Sequence, residues 1–315
     1  MTLSLDPDIA VALGARAEMM AGVVMPARGD ALGLRALIDP GFAVMHSALG
    51  DAPDVRSVDH TTTSFDGATV GLRWYSVGDD RPGSAVLYVH GGGMICGTVE
   101  HYDVLVRHYV QRTGVPFLSV DYRLAPEFLG TTPVEDAFAG LVWLLDHASE
   151  LGVDPDRVGI MGDSAGGGVA AGAAILARDR GRHIARQVLI YPMLDDRNLE
   201  PDPEIAPFAT WTYDNNFTGW SALLGDALGT DAVPPAVAPA RLGDLAGLAP
   251  AYIEVGELDI FRDEDIRYAS RLVVAGVSCE LHVHPGAPHG HELFAPDGAL
   301  SRRCMADRYR VVTSL

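Results

Sequence analysis

One serine lies in a run of small residues, VGIMGDSAGGGVAAGAAI, at positions 158–175. This residue, Ser164, occupies a G-x-S-x-G pattern between an apolar run that predicts a buried strand and an alanine-rich run that predicts a helix. So sharp a turn needs glycine at Gly162 and Gly166, because a Cβ there would collide with the adjoining strand or helix. The turn lifts the hydroxyl to a helix N-terminus, where the dipole favours developing negative charge. The pattern predicts a nucleophile, with a serine that only caps the helix as the alternative.

A second motif, HGGG at residues 90–93, directly follows the apolar run AVLYV. A glycine loop after this strand presents backbone N–H groups to the site and lets the backbone approach a substrate closely. We expect the N–H groups of Gly92 and Gly93, together with that of Ala165, to hold an oxyanion. We expect the segment DYRLAPE at residues 121–127 to form a hydrogen-bonded scaffold beneath this loop.

Candidates for a catalytic acid and base follow the serine in the chain order of an α/β-hydrolase triad, which is Ser, Asp or Glu, then His. GELDIFRDED at residues 256–265 follows the predicted strand AYIEV, and HPGAPHGHELF at residues 284–294 follows the predicted strand CELHV. Both segments lie just past the carboxyl end of a strand, where an open α/β sheet gathers its ligands. From the residues alone, the candidates for the acid are Glu257, Asp259 and Asp263. The candidates for the base are His282, His284, His289 and His291.

These motifs resemble those of the hormone-sensitive-lipase-like group of α/β-hydrolase esterases, the bacterial carboxylesterases with an HGGG loop and a GDSAGG turn. The resemblance covers roughly residues 85–295 and rests on several motifs in the family's order. They are HGGG (90–93), DYRLAPE (121–127), GDSAGG (162–167), YP followed by LD (191–195), DIFRDE (259–264) and HG (289–290).

The resemblance implies Ser164 as nucleophile, Asp259 as triad acid and His289 as general base. Asp259 fills the first aspartate of the family's D-x-L-x-D-E pattern, and His289 lies in the loop beyond the last strand. The implied activity is hydrolysis of short- to medium-chain carboxylic esters through an acyl-serine intermediate, with no cofactor. The alternatives are an amidase or acyltransferase with the same triad, and a non-catalytic receptor on this fold.

Two positions depart from the family pattern. Ile260 stands where the family usually has proline, and His291 stands where it usually has phenylalanine. We expect His291 to make the alcohol side of the pocket more polar, or to add pH dependence near neutrality. The residues expected to contact the substrate are Met94, Asp163, Trp211 and His291.

Length and patterning predict one large α/β domain with an insertion. The chain has 315 residues, 48% of them hydrophobic, which is enough to bury a large core. Residues 55–78 read as an antiparallel hairpin, and apolar strand runs then alternate with amphipathic helices. This alternation is typical of a parallel sheet. Together with the family resemblance, this pattern predicts the α/β-hydrolase fold, with a mostly parallel eight-stranded sheet flanked by helices and a helical cap.

The predicted division of the chain is into four segments. Residues 1–50 form the N-terminal part of the cap, 51–195 the first part of the catalytic domain, 196–245 the cap insertion and 246–315 the second part of the catalytic domain. Several bulky side chains of the two cap segments are expected either in the cap core or on the acyl pocket. They are Met19, Met20, Met25, Phe208, Trp211, Tyr213 and Trp220.

Charge and composition exclude several classes of partner. The formal net charge of −19 is spread along the chain, which favours solubility and argues against nucleic-acid binding. No apolar run approaches the ~20 residues that cross a bilayer, and the first residues lack a signal-peptide pattern. We therefore expect a cytoplasmic protein, and the family resemblance implies a small ester as its substrate. Three cysteines, Cys96, Cys279 and Cys304, are too few for a disulfide framework and are expected to be free thiols.

A metal site and an oligomer are the remaining hypotheses. The histidine-rich segment HVHPGAPHGH places His282 and His284 on one face of a strand, as some metal sites do. No cysteine or HExxH-like helix lies nearby in the sequence to complete such a site, so we predict no metal. Residues 279–285 form a candidate sheet edge through which two copies could pair, and we expect a homodimer.

Overall fold

The computed structural model describes residues 3–78 and 83–315. Over these residues, eight strands form one sheet: β1 (Val55–Thr63), β2 (Thr69–Val77), β3 (Gly83–Val89), β4 (Phe117–Asp121), β5 (Val153–Asp163), β6 (Arg186–Ile190), β7 (Ala251–Gly256) and β8 (Cys279–His284). Nine α-helices accompany them in the same described part: α1 (Pro7–Met19), α2 (Ala31–Ser47), α3 (Asp103–Thr113), α4 (Thr132–Asp146), α5 (Ala165–Asp179), α6 (Tyr213–Leu224), α7 (Arg262–Val274), α8 (His291–Phe294) and α9 (Ala299–Thr313). None of the described helices is long and apolar enough to span a bilayer.

The sheet has the strand order β1-β2-β4-β3-β5-β6-β7-β8. β1 pairs antiparallel with β2, and β2 pairs antiparallel with β4. The six strands from β4 to β8 in this order run parallel. Their central members are buried along most of their length, because helices cover both faces of a parallel sheet. The predicted mostly parallel eight-stranded sheet is confirmed.

Parallel strands with crossover helices bring distant motifs to one edge of the sheet. The HGGG loop at residues 90–93 follows β3, and Ser164 follows β5 directly. Asp259 lies three residues beyond the end of β7, and His289 lies five residues beyond the end of β8. The HGGG loop and the three candidate catalytic residues therefore all lie at the carboxyl edge of the sheet.

Helix α5 packs against its neighbours with very little side-chain volume in between. A Cβ at Gly168 would lie 2.1 Å from the carbonyl oxygen of Met193, and one at Gly172 would lie 2.0 Å from that of Ala236. The glycine- and alanine-rich sequence is what permits this approach, and it fixes the helix relative to the segment after β6 and to the cap insertion. The residue before α5 is Ser164, so its position is fixed as well.

The two predicted cap segments meet above the carboxyl edge of the sheet. In the described residues of 1–50 and 196–245 the regular elements are α1, α2, α6 and three short 3-10 turns. Helix α2 contacts α6, and the Oγ1 atom of Thr218 in α6 accepts the N–H of Gly29 at 2.9 Å. Both segments contribute walls to one cavity over Ser164. The exact boundaries of the cap stay a prediction.

A buried ion cluster ties α9 to the sheet and to α8. The Arg308 guanidinium is 2% exposed and donates to Glu254 at 2.8 Å and to Glu292 at 2.6 Å. Burial raises the pKa of the Glu254 carboxyl, but the guanidinium outweighs this effect and holds that pKa at about 2. The hydroxyl of Tyr191 donates to Glu292 at 2.6 Å. One cation therefore compensates two buried carboxylates.

Replacing the cation should destabilise the fold strongly. We expect Arg308→Met to lower the free energy of unfolding by about 3–5 kcal/mol, because two carboxylates stay buried without their partner. Urea unfolding at neutral pH measures this change. The control is Arg310→Met on the same helix, whose half-exposed guanidinium pairs with Glu280 at the surface and should contribute less than about 1 kcal/mol. Equal losses in the two variants would contradict the role of Arg308.

Candidate active site

The nucleophile candidate lies in a strained turn between β5 and α5. Ser164 has φ 57° and ψ −123°, a backbone conformation that residues other than glycine rarely adopt. A Cβ at Gly162 would lie 2.2 Å from the carbonyl oxygen of Gly166, and one at Gly166 would lie 2.1 Å from that of Val89. The steric requirement for glycine on both sides of the serine is therefore confirmed. The N–H of Ser164 donates to Ile190 in β6 at 2.9 Å, which ties the turn to the sheet.

Three side chains from separate loops converge at this turn. The Nε2 atom of His289 lies 2.9 Å from the Oγ atom of Ser164, and its Nδ1 atom lies 2.7 Å from an Oδ atom of Asp259. The second carboxylate oxygen of Asp259 accepts the N–H of Phe261 at 3.0 Å, and the carboxylate is fully buried. This geometry allows the histidine to take a proton from the serine while its other nitrogen donates to the carboxylate.

The His289 ring is held from several directions. The ring of Tyr191 meets it edge-on with centroids 4.6 Å apart, and the ring of Phe261 does so at 5.1 Å. The Thr210 hydroxyl donates to the His289 carbonyl at 2.5 Å. Tyr191 itself has φ 36°, an uncommon backbone conformation for a bulky residue. The imidazole therefore has little freedom to rotate away from the serine.

The other acid and base candidates lie elsewhere. The Glu257 carboxylate accepts a backbone N–H of the β8 loop, and Asp263 pairs with the neighbouring arginine in the first turn of α7. His282 bonds to a glutamate of its own strand. His284 and His291 are buried next to glutamate side chains. Of the candidates that the residues left open, the structure brings only Asp259 and His289 to the serine.

The HGGG loop lies beside the serine with free backbone donors. Within the described residues, no acceptor takes the N–H of Gly92, Gly93 or Ala165. Gly92 has φ 117° and Gly93 has φ 61°, which explains why this loop is built from glycine. Below the loop, the Tyr122 hydroxyl donates to the carbonyl of His90 at 2.9 Å, and the two rings stack. The predicted scaffold role of this tyrosine is confirmed.

A cavity of about 280 Å³ opens on the serine and the histidine. Asp163 and Trp211, two of the expected substrate contacts, line it. Met20 and Met25 line it as well, whereas Trp220 is fully buried in the cap core and Met19 is 77% exposed. The bulky cap residues thus divide between pocket wall, cap core and surface.

Sequence reasoning missed the largest apolar wall of this cavity, which comes from α2. Its residues recur at helical spacing on one face: Leu34, Leu37, Ile38, Phe42 and Met45. That periodicity was the available signal. It marks a buried face but does not show what the face covers.

The structure places two of the expected substrate contacts outside the wall of this cavity. Met94 is 3% exposed, has φ 61° and belongs to the hydrophobic core instead of the cavity wall. His291 begins α8 and is 1% exposed, with neither ring nitrogen hydrogen-bonded within the described chain. Burial lowers the pKa of His291, so its imidazole is neutral near pH 7. Ile260, the other departure from the family pattern, is also buried.

The expectation that no cysteine lies near His284 is wrong. Cys304 of α9 lies beside His284 and Glu254, and one ligand atom from each falls within 4.8 Å of the others. A cysteine distant in sequence is therefore close in space. The Glu254 carboxylate already accepts from Arg308 and from Tyr252, and the guanidinium places a positive charge where a cation would bind. This donor set is poorly suited to a metal ion.

The site has clear counterparts among known proteins. A family model described as alpha/beta hydrolase fold matches residues 86–293. Esterase LipI of Mycobacterium tuberculosis is 36% identical over 281 residues, which cover 84% of this chain and 86% of that protein. Ethyl acetate hydrolase of Pseudomonas putida is 34% identical over 303 residues, which cover 91% of this chain and 92% of that protein.

Solved structures extend the likeness to the cap. A bacterial heroin esterase matches with a TM-score of 0.89 at 35% identity, covering 99% of this chain and 98% of that chain. An esterase of the archaeon Pyrobaculum calidifontis matches with a TM-score of 0.87 at 30% identity, covering 99% of both chains. The similarity therefore includes the helices that cover the cavity.

Asp163, the residue before the serine, lies beneath the HGGG loop. The hydroxyl of Tyr88 donates to one carboxylate oxygen, and the other would lie 2.9 Å from a Cβ at Gly91. Burial raises the pKa of this carboxyl from 3.8 to about 6, and the hydrogen bond from Tyr88 offsets only part of the increase. The charge of Glu292 raises it further. Above pH 6 the fold must hold a buried charge here.

Replacing this carboxyl should change how stability depends on pH. Because the pKa of Asp163 is higher in the folded state, folding binds a proton between pH 3.8 and 6, and stability falls as pH rises through that interval. The full penalty is about 3 kcal/mol, and roughly half of it develops between pH 5 and pH 8. Between pH 5 and pH 8, the free energy of unfolding of Asp163→Asn should therefore rise by that half relative to the wild type. Urea unfolding at the two pH values measures this change. If the difference in free energy of unfolding between the two proteins is the same at both pH values, Asp163 does not carry this pH dependence.

Proposed function

The chain belongs to the α/β-hydrolase family and is a carboxylic ester hydrolase, and we propose that Ser164, Asp259 and His289 are its catalytic triad. The observation that carries the proposal is the hydrogen-bonded line from the buried carboxylate through the imidazole to the serine hydroxyl. The line ends beside three backbone N–H groups that have no acceptor in the described chain.

Acylation begins when His289 takes the proton of Ser164 as the Oγ atom attacks the ester carbonyl. Asp259 accepts a hydrogen bond from Nδ1, which keeps Nε2 free to act as base and stabilises the imidazolium that forms. The N–H groups of Gly92, Gly93 and Ala165 hold the tetrahedral oxyanion. The imidazolium then gives its proton to the leaving alcohol, and the acyl group stays on the serine.

Deacylation repeats these steps with water as the nucleophile. His289 takes a proton from the water as it attacks the acyl-serine, and the same N–H groups hold the second oxyanion. The proton returns to Ser164 as the carboxylic acid leaves. The chain's own side chains supply every proton transfer in this cycle.

The cavity supports short- or medium-chain esters as substrates. Its volume of about 280 Å³ lies just below the ~300–1,000 Å³ of pockets for drug-sized ligands. Apolar side chains of α2 such as Leu34 and Phe42 line it, and they suit an acyl chain better than a charged group. The cap helices cover the cavity, which disfavours bulky triglycerides.

Ser164→Ala tests the proposed mechanism. We expect the variant to hydrolyse p-nitrophenyl butyrate at least ~10³-fold more slowly than the wild type, because it lacks the nucleophile. A serine-directed phosphonate should inactivate the wild type with one equivalent and leave the variant unlabelled, as mass spectrometry would show.

Two other outcomes of that assay would point to different functions. If the wild type releases no nitrophenol, the triad is not functional and the chain is a receptor on this fold. If it cleaves p-nitroanilides as fast as the matching esters, the enzyme is an amidase.

A homodimer formed through the edge of the sheet is also proposed. β8 is the last strand in the sheet order, and Leu281 and Val283 are 36% and 38% exposed. The carbonyls of Ser278 and His284 accept N–H groups on the β7 side. Since strand residues alternate, the odd-numbered residues of β8 direct their backbone groups to the free edge. A second copy of β8 can pair there around a two-fold axis.

Proline at the free edge tests this pairing. We expect Val283→Pro to convert a dimer into a monomer of 33.5 kDa by light scattering, because proline removes one outward N–H and leaves the bonds to β7 in place. Circular dichroism would verify that the variant is folded. A wild type that is already monomeric would refute the proposed edge pairing.

A further inference from the structure

Gly93 lies between two parts of the cap and belongs to the HGGG loop, residues 90–93, which is the oxyanion loop of the proposed mechanism. The ring of Trp211 packs against Gly93 so closely that a Cβ on this glycine would come within 2.6 Å of two ring carbons. On the other side α6 passes so near that a Cβ on Gly219 would lie 2.6 Å from the Gly93 carbonyl oxygen. A real Cβ essentially never approaches another heavy atom within 3.0 Å. The lack of a side chain at Gly219 therefore sets how closely α6 approaches the loop.

The loop cannot yield easily in the opposite direction, because the residues after Gly93 are fixed. The Met94 carbonyl accepts the N–H of Ala125 at 2.9 Å. The guanidinium of Arg35 in α2 donates to the Ile95 carbonyl at 2.5 Å and to the Ala125 carbonyl at 2.6 Å. A group inserted between α6 and Gly93 must therefore displace either the helix or the glycine.

We propose that Gly219 is a positioning residue for the reaction, which holds α6 against Gly93 so that the Gly93 N–H meets the oxyanion. This inference rests on the proposed function. Oxyanion donors act over a narrow range of about 2.7–3.1 Å, so a displacement of several tenths of an ångström weakens them. Gly219 touches no reacting atom, and its effect passes through the backbone of Gly93.

Gly219→Ala is the direct test. We expect kcat for p-nitrophenyl butyrate to fall about tenfold or more, as for a weakened oxyanion donor, with KM within about threefold of the wild type. The second readout is the Ki of an alkyl trifluoromethyl ketone, which forms a hemiketal oxyanion with the nucleophilic serine. This Ki should rise by about the same factor as kcat/KM falls. A purely structural role would reduce the amount of active enzyme but leave the Ki of the active fraction unchanged.

Thr218→Ala is the matched control on the same helix. Thr218 is buried, and its hydroxyl oxygen holds Gly29 of the N-terminal segment instead of the oxyanion loop. We expect this variant to lower the thermal midpoint while kcat and the ketone Ki stay within about twofold of the wild type. If a folded Gly219→Ala protein behaves in the same way, the inference is overturned.

A variant that fails to fold does not end the test. In that case Trp211→Phe decides, because it removes the ring atoms that pack on Gly93 from the other side. Because Trp211 also lines the cavity, a lost substrate contact would raise KM; a loss in kcat at unchanged KM, with an equal loss in affinity for the ketone, supports positioning by the cap, and wild-type values for both overturn it. Ser164→Ala keeps the two proposals distinguishable, since an active serine variant would refute the triad itself.

Discussion

The contact between the end of β5 and the start of α5 is the constraint on which the site depends. The backbones at Gly162 and Gly166 approach too closely for side chains, and the turn between them forces Ser164 into a conformation that costs of order 1–3 kcal/mol. The surrounding packing maintains the strain, because α5 is buried along most of its length and the Ser164 N–H is bonded to the sheet. The tight packing around the start of α5 therefore holds Ser164 in its strained backbone conformation.

The proposed base, His289, is positioned by a different means, which is a chain of contacts that ends in a buried ion cluster. The Tyr191 ring meets His289 edge-on, and its hydroxyl donates to Glu292. Glu292 in turn is held by Arg308, which also binds Glu254 of β7. A buried ion cluster is expensive to desolvate, so its contribution is better understood as fixing one arrangement than as adding stability. The loop that carries the histidine is anchored in this way to α9 and to the sheet.

Sequence patterns predicted the sheet and the turn that carries Ser164, because local spacing encodes both, whereas Asp259 and His289 were selected among the open candidates by the family resemblance. Apolar runs of strand length identify buried strands, and glycines identify turns that side chains would block. The patterns failed where the outcome depends on which way a side chain points after a turn. His291 lies two residues after His289 in the sequence, yet it begins a helix and is buried. Met94 adjoins the oxyanion loop yet enters the core.

Contacts between distant segments were also beyond the reach of local patterns. The apolar face of α2 was readable, but nothing in its spacing shows that it covers the serine. Cys304 lies twenty residues from His284 in the chain and next to it in space. In the proposed mechanism the sheet and its loops supply the reacting groups, whereas residues of the cap line the cavity over the serine. Residues such as Gly219 join the two, since a cap that touches the oxyanion loop cannot change shape without changing the donors.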